Sequence, residues 1–216
     1  MLRLRNVETA LANFFASGIA NLREKLGPFL WQLPPTLKYD PGLVDDFLAM
    51  LPRDTDQASA LARRHDHKLK GRARIAYRPR RWLRHALEVR HESFVQPSLI
   101  TMLRRHRVAF VIADTAGRWP EFEDVTADFV YIRLHGGEEL YRSSYMATAL
   151  NRWGKRIRLW SQGSEPSDAR RISSTPAPQR RARDVYCYFD NTDKVEAPAN
   201  ALRLMQKLGV AWPVEG

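Results

Sequence analysis

The residue types best suited to chemistry in this chain stand at or just past the ends of short apolar runs. Gln32, Glu88, Arg90, Asp114, Arg133, His135 and Asp190 all occupy such positions. Glu88, Asp114 and Asp190 supply carboxylates for general acid or base work, and His135 is the side chain expected to exchange protons near neutral pH. Arg90 and Arg133 carry the planar fork that matches a carboxylate or phosphate, and Gln32 adds a neutral donor and acceptor. Together they predict acid–base chemistry on a small anionic or polyhydroxylated substrate. A plainer arrangement uses the same residues as ion pairs, Glu88 with Arg90 or Arg133, closing the ends of the strands. Carboxylates with one histidine could also hold Mg²⁺ or Mn²⁺, but a single histidine is a thin donor set. No metal ligand and no cofactor is therefore assigned.

These residues need elements that bring them to one place. Apolar residues recur at helical spacing from Leu4 to Leu26, with a break at Ser17-Gly18 and a stop at Gly27-Pro28. Phe29–Leu33, Ala86–Arg90, Val108–Ala113, Phe129–His135 and Val185–Phe189 have the patterns of strands. In the fourth, Val130, Ile132 and Leu134 share one face, while Phe129, Tyr131, Arg133 and His135 share the other. Helices are expected at Pro41–Met50 with Asp40 as cap, Asp56–Arg64, Ser93 to Arg105, Tyr145–Trp160 and Ala197–Leu208. Strand followed by helix, five times over, predicts parallel α/β architecture. In such sheets, ligands bind at the carboxyl ends of the strands, where the polar residues lie.

Composition narrows the class. The 216 residues include one cysteine, Cys187, which excludes an internal disulfide and is expected in the core. No apolar run reaches the ~18 residues of a membrane span, and no secretory leader pattern opens the chain, so the cytoplasm is the expected compartment. The net charge of +11 is concentrated. Residues Arg63 to Arg84 hold ten Lys or Arg against Asp66, and Arg152 to Arg183 hold nine against Glu165 and Asp168. Solvated faces explain such runs, and nucleic acid is the partner they would attract otherwise, though neither run interleaves aromatics for base stacking. His65-x-His67 reads as part of a solvated loop. Gly163–Asp184, rich in Ser, Pro and Arg, reads as a flexible basic linker within a single domain spanning 1–216.

Five ordered stretches carry a resemblance. They are LGPFLWQLPP (Leu26–Pro35), ALEVRHESF (Ala86–Phe94), ADT with WPEFEDVTADFVYIRLHG (Ala113–Thr115, Trp119–Gly136), LNRWGKRIRLW (Leu150–Trp160) and DVYCYFDN with APANALRL (Asp184–Asn191, Ala197–Leu204). The chain resembles the DUF72, or YecE-like, family over nearly its whole length. The resemblance implies a TIM-like β/α barrel and leaves the biochemical function open. It also adds Tyr141, Asn191 and Asn200 as candidate ligand-binding residues. The family's opening strands, with a Gly-Thr-Ser-Gly-Trp-Ser-like run, have no counterpart here. The resemblance thus implies an incomplete barrel of about five parallel strands, the family's fourth to eighth. Such a chain would be completed by oligomerisation or by a complementing N-terminal fragment, or else be inactive alone.

Overall fold

The computed structural model describes residues 4–77, 79–136, 144–191 and 196–211. The elements are α1 (Glu8–Ala16), β1 (Phe29–Gln32), α2 (Pro41–Met50), α3 (Thr55–Ala62), β2 (His85–Glu88), α4 (Pro97–His106), β3 (Ala109–Asp114), β4 (Phe129–Leu134), α5 (Ala147–Ser161), β5 (Asp184–Phe189) and α6 (Glu196–Leu208). The strands are hydrogen-bonded in chain order, β1-β2-β3-β4-β5. Contacts divide the chain into two compact units, Met1–Trp31 with Tyr39–Ala86, and Gln32–Lys38 with Leu87–Gly216.

The first unit is organised around aromatic rings. Phe15 on α1 packs edge-on against Phe29, and Trp31 meets Phe47 of α2 at 83°. His85 is part of this core: its Nδ1 accepts from the Trp31 indole at 3.1 Å and its Nε2 donates to the Pro52 carbonyl at 2.7 Å. Burial, with the Arg53 charge added, pushes its pKa down to about 4 despite the Pro52 bond, so the ring is neutral. The helix starts follow the expected chemistry. Asp40 caps α2 by accepting from the Leu43 amide at 3.1 Å, and Pro41 fills the first turn where no donor is needed. Asp54 does the same for α3 through the Gln57 amide at 2.8 Å. This helix therefore begins at Thr55, one residue earlier than its apolar pattern predicts.

The second unit holds β3, β4 and β5 in parallel register, with Ile112 beside Ile132 and Cys187. Val130, Ile132 and Leu134 bury against Leu150, Trp153, Ile157 and Trp160 of α5 and Leu204 of α6, as the alternation of β4 predicts. Cys187 packs against this cluster, and burial pushes its thiol up to about 12, which suits a core residue rather than a nucleophile. β3 and β4 are buried on both faces, whereas β5, last in the order, exposes Asp184 and Tyr188 and leaves its other residues half-buried.

Two expectations need correction. The helix after β2 does not begin at Ser93. Residues Glu92–Phe94 form a 3₁₀ turn, and α4 begins at Pro97, whose ring favours the first helical position. Nor does strand alternate with helix throughout. Residues 115–128 link β3 to β4 without a helix, and side chains provide the tethers. Thr126 Oγ1 accepts from Phe110 N at 2.7 Å and donates to the Val108 carbonyl at 2.6 Å. The Asp124 carboxylate accepts from the amides of Ile172 and Ser173 at 2.7 and 3.0 Å. Those amides lie in the segment 163–183, which has neither helix nor strand. It is also tied by Arg156 to Asp168 at 2.8 Å and by Arg104 to the Thr175 carbonyl at 3.0 Å.

Candidate functional site

Five of the candidate side chains, drawn from β1, β2 and β4 and the loops that follow β2 and β5, meet around one carboxylate. Glu88, the last residue of β2, is 1% exposed. Its Oε1 accepts from Arg90 Nε at 2.7 Å, and its Oε2 accepts from Arg133 Nη1. Gln32, ending β1, offers Oε1 to the same two guanidiniums, at 2.7 Å from Arg90 Nη2 and 3.2 Å from Arg133 Nη1. Arg133 also reaches Asp190 through Nη2. The strand register explains this meeting: Arg133 lies beside Tyr188, so Asp190, two residues on, continues the same face. All of these residues belong to the second unit.

The electrostatics are balanced. Two guanidiniums face two carboxylates, so a near-buried cluster carries no large net charge. Burial opposes the Arg133 charge, but Glu88 and Asp190 outweigh it and hold this pKa above the usual arginine value. Asp190 is the open member, with 42% of its side chain exposed against 11% for Arg90 and 14% for Arg133. His135 is fully buried, and its Nδ1 lies 3.2 Å from Asp190 Oδ2. Burial, then the neighbouring Arg133, drive its pKa down to about 4 against the pull of Glu88 and Asp190. The expectation of exchange near neutral pH is therefore corrected: at pH 7 His135 is a neutral ring.

Trp119 is the member that sequence reasoning missed. Arg90 lies over its indole at 3.9 Å, and His135 meets the ring edge-on at 6.2 Å. Thr115 holds the loop in place, donating to the Trp119 carbonyl at 3.3 Å and accepting from its amide at 3.1 Å. The signal was a threonine just past β3 followed four residues later by tryptophan. Lower on the same face, the rings of Tyr131 and Tyr188 stack at 5.1 Å, with Tyr188 45% exposed.

Other candidates go elsewhere. Asp114 pairs in register with Leu134, which puts its side chain on the opposite, helix-facing side of the sheet. There it bonds Tyr145 and Trp153, and burial raises its pKa against those bonds. Tyr145 in turn accepts from the Gly136 amide at 3.1 Å, so Asp114 acts on the turn after His135 from behind. Asn200 is buried on α6 and hydrogen-bonds Ser144 at 3.3 Å. Asn191 is buried directly after Asp190. Tyr141 lies outside the described residues. Among the described residues, no three His, Cys, Asp or Glu side chains come together as a metal-holding group. No helix among them is long and apolar enough to cross a membrane.

The model of the family described as "Protein of unknown function DUF72" matches residues 1–214. The chain belongs to the DUF72 family. Two crystal structures of DUF72 proteins are similar to it, from Thermotoga maritima at 20% identity and from Enterococcus faecalis at 18%, each with a TM-score of 0.64. They match 95% and 97% of this chain, which spans 66% and 68% of theirs. No curated protein matches it. At this identity the likeness establishes fold alone: an incomplete TIM-like α/β barrel fold with five parallel strands.

Proposed function

We propose that this DUF72 chain binds a small anionic or polyhydroxylated molecule at the carboxyl ends of β2 and β4, and acts on it by acid–base chemistry. The supporting observation is the pair of guanidiniums anchored by one buried carboxylate beside a half-exposed aspartate. Glu88 has both oxygens occupied, so its role is to position Arg90 and Arg133 rather than to carry a proton. The arginines would bind the anionic or hydroxyl groups with their remaining donors. Asp190 is the accessible base, and the neutral His135 ring beside it would receive or return a proton. The charge balance favours a ligand that exchanges hydrogen bonds with the ion pairs over one of high charge.

The test is a thermal-shift and calorimetric screen of the full chain against inorganic phosphate, sugar phosphates and sugar acids, with turnover followed by NMR. A ligand at about a hundred times its Kd should stabilise the chain by about 2.7 kcal/mol. Arg90→Met should abolish that gain, while Asp190→Asn should keep binding and lose turnover. Binding unchanged in Arg90→Met would place the ligand elsewhere and defeat the proposal.

A further inference from the structure

The first unit carries a second, unrelated surface. Among the described residues from Arg63 to Arg80, seven cations are exposed: Arg63, Arg64, Lys68, Lys70, Arg72, Arg74 and Arg80. The only acid in that stretch is Asp66, whose carboxylate already accepts from the Lys68 amide at 2.9 Å. The run borders an open cleft of about 1100 Å³ whose charged lining is mixed, Arg23, Arg63 and Arg80 with Glu24 and Asp56. Arg80 is fixed by Asp54 at 3.5 Å and Asp56 at 3.2 Å. Among the described residues Arg63, Arg64, Lys70, Arg72 and Arg74 have no carboxylate partner, so the positive field comes from the exposed run and not from the cleft, whose acids offset its arginines.

An exposed aromatic ring belongs to the same segment of chain. Trp82 is two residues beyond Arg80 and is 73% exposed, the most exposed of the large hydrophobic side chains among the described residues. Its backbone bridges Asp54, the residue that holds Arg80. Neighbouring bonds fix the strand that carries it, Thr55 N to the Arg81 carbonyl at 3.1 Å and Leu83 N to Arg53 at 2.8 Å. The ring is thus presented outward from a rigid segment rather than left on a loose end. The sequence pattern shows no interleaving of aromatics with the basic run, but the fold supplies one exposed ring at its margin.

We propose that this basic run binds single-stranded nucleic acid, with the Arg63–Arg80 cations tracking phosphates and Trp82 stacking on an unpaired base. Cations alone would accept any polyanion, but the indole face favours a strand whose bases are free. A duplex, with its bases already stacked on one another, cannot use that ring.

The experiment is fluorescence anisotropy of a labelled oligothymidine of about twenty nucleotides against the full chain, at several salt concentrations. If about five phosphates are neutralised, affinity should fall roughly a hundredfold between ~50 and ~200 mM salt. Trp82→Ala should weaken binding roughly 5- to 100-fold with an unchanged salt slope, and quenching of tryptophan fluorescence on binding should disappear with it. Arg63→Glu with Arg72→Glu should flatten the slope. Arg180→Glu with Arg181→Glu, exposed in the other basic stretch, should leave binding within about threefold. All replaced side chains are exposed, and circular dichroism melting confirms that each variant folds. Duplex or heparin binding as tight as the single strand and indifferent to Trp82→Ala would overturn the proposal. So would the absence of binding at low salt, or a site satisfied by inorganic phosphate.

Discussion

Glu88 is where the requirements of stability and of ligand binding meet. It is 1% exposed, and both of its oxygens are committed to arginines that are themselves nearly covered. Breaking a buried ion pair from one side leaves charges without compensation and costs about 3–5 kcal/mol. Glu88→Gln should therefore destabilise the chain by about 3 kcal/mol in urea unfolding, because Gln32 and Asp190 still hold part of the arginine charge. Asp190→Asn, at a side chain 42% exposed, should cost less than about 1 kcal/mol. Equal costs for the two substitutions would contradict the assignment of Glu88 as the anchor. The tryptophan beneath Arg90 makes a smaller and separable contribution. Trp119→Leu keeps an apolar side chain but removes the ring face, and should lose about 1 kcal/mol while loosening Arg90. The loosened arginine should be read as weaker binding of any ligand found in the thermal-shift screen.

At the scale of elements, periodicity carried most of what the sequence revealed. The alternation in Phe129–Leu134 assigned both faces of β4, and the apolar spacing of Leu150, Trp153, Ile157 and Trp160 identified the buried side of α5. Gln32, Glu88, Arg90, Arg133 and Asp190 were legible as a group because each sits near a carboxyl end. Asp114 was legible only as to its height. Its face depends on register with β4, and one residue of alternation turns it toward Tyr145 instead. Trp119 was not legible, because it lies in a loop whose path is set by Thr115 and not by any period. The 115–128 link was equally opaque, since Thr126 and Asp124 hold it by side-chain bonds between residues far apart in sequence. Boundaries failed where turn chemistry outranks apolar pattern, as at Pro97. The other end of α4 offers a test of that chemistry. Arg107 closes the helix at φ 53°, where its amide bonds to the carbonyls of Leu103 and Arg104. Glycine reaches that left-handed conformation without the Cβ penalty, and Arg107 is exposed. Arg107→Gly should raise stability by about 0.5–1 kcal/mol, visible as a higher urea midpoint at constant slope. A loss would mean that the arginine side chain makes a compensating contact.

For the molecule as a whole, two buried histidines, one in each unit, lower stability on acidification, while half-buried Glu121, its pKa raised to about 6, acts in the opposite sense. His85 is held neutral between Trp31 and Pro52, and His135 is held neutral by burial and by Arg133. Both folded pKa values are about 4, below the unfolded value of about 6.5. Because the unfolded chain binds the extra protons, the histidine contribution is full above about pH 6.5 and falls as pH drops toward 4. Below about pH 4 both states are protonated and this contribution levels off. Each shift corresponds to about 3 kcal/mol at most. The neighbours set the sign differently in the two units. At His85 the Pro52 carbonyl favours a proton, but burial and the Arg53 charge outweigh it. At His135, Glu88 and Asp190 favour protonation while Arg133 and Arg90 oppose it, and burial decides for the neutral form. Removing the arginine charge should therefore shift His135 alone. In Arg133→Met, the His135 titration seen by NMR should move upward toward the unfolded value, while His85 stays near 4. Urea unfolding between pH 7 and pH 4 should lose less stability in Arg133→Met than in the wild type, the difference isolating His135 from carboxylates such as Glu121. If His135 instead titrates above about pH 7.5 in the intact chain, it is charged beside Asp190 under physiological conditions. The ring would then serve as an acid and not as the neutral partner on which the proposed chemistry rests.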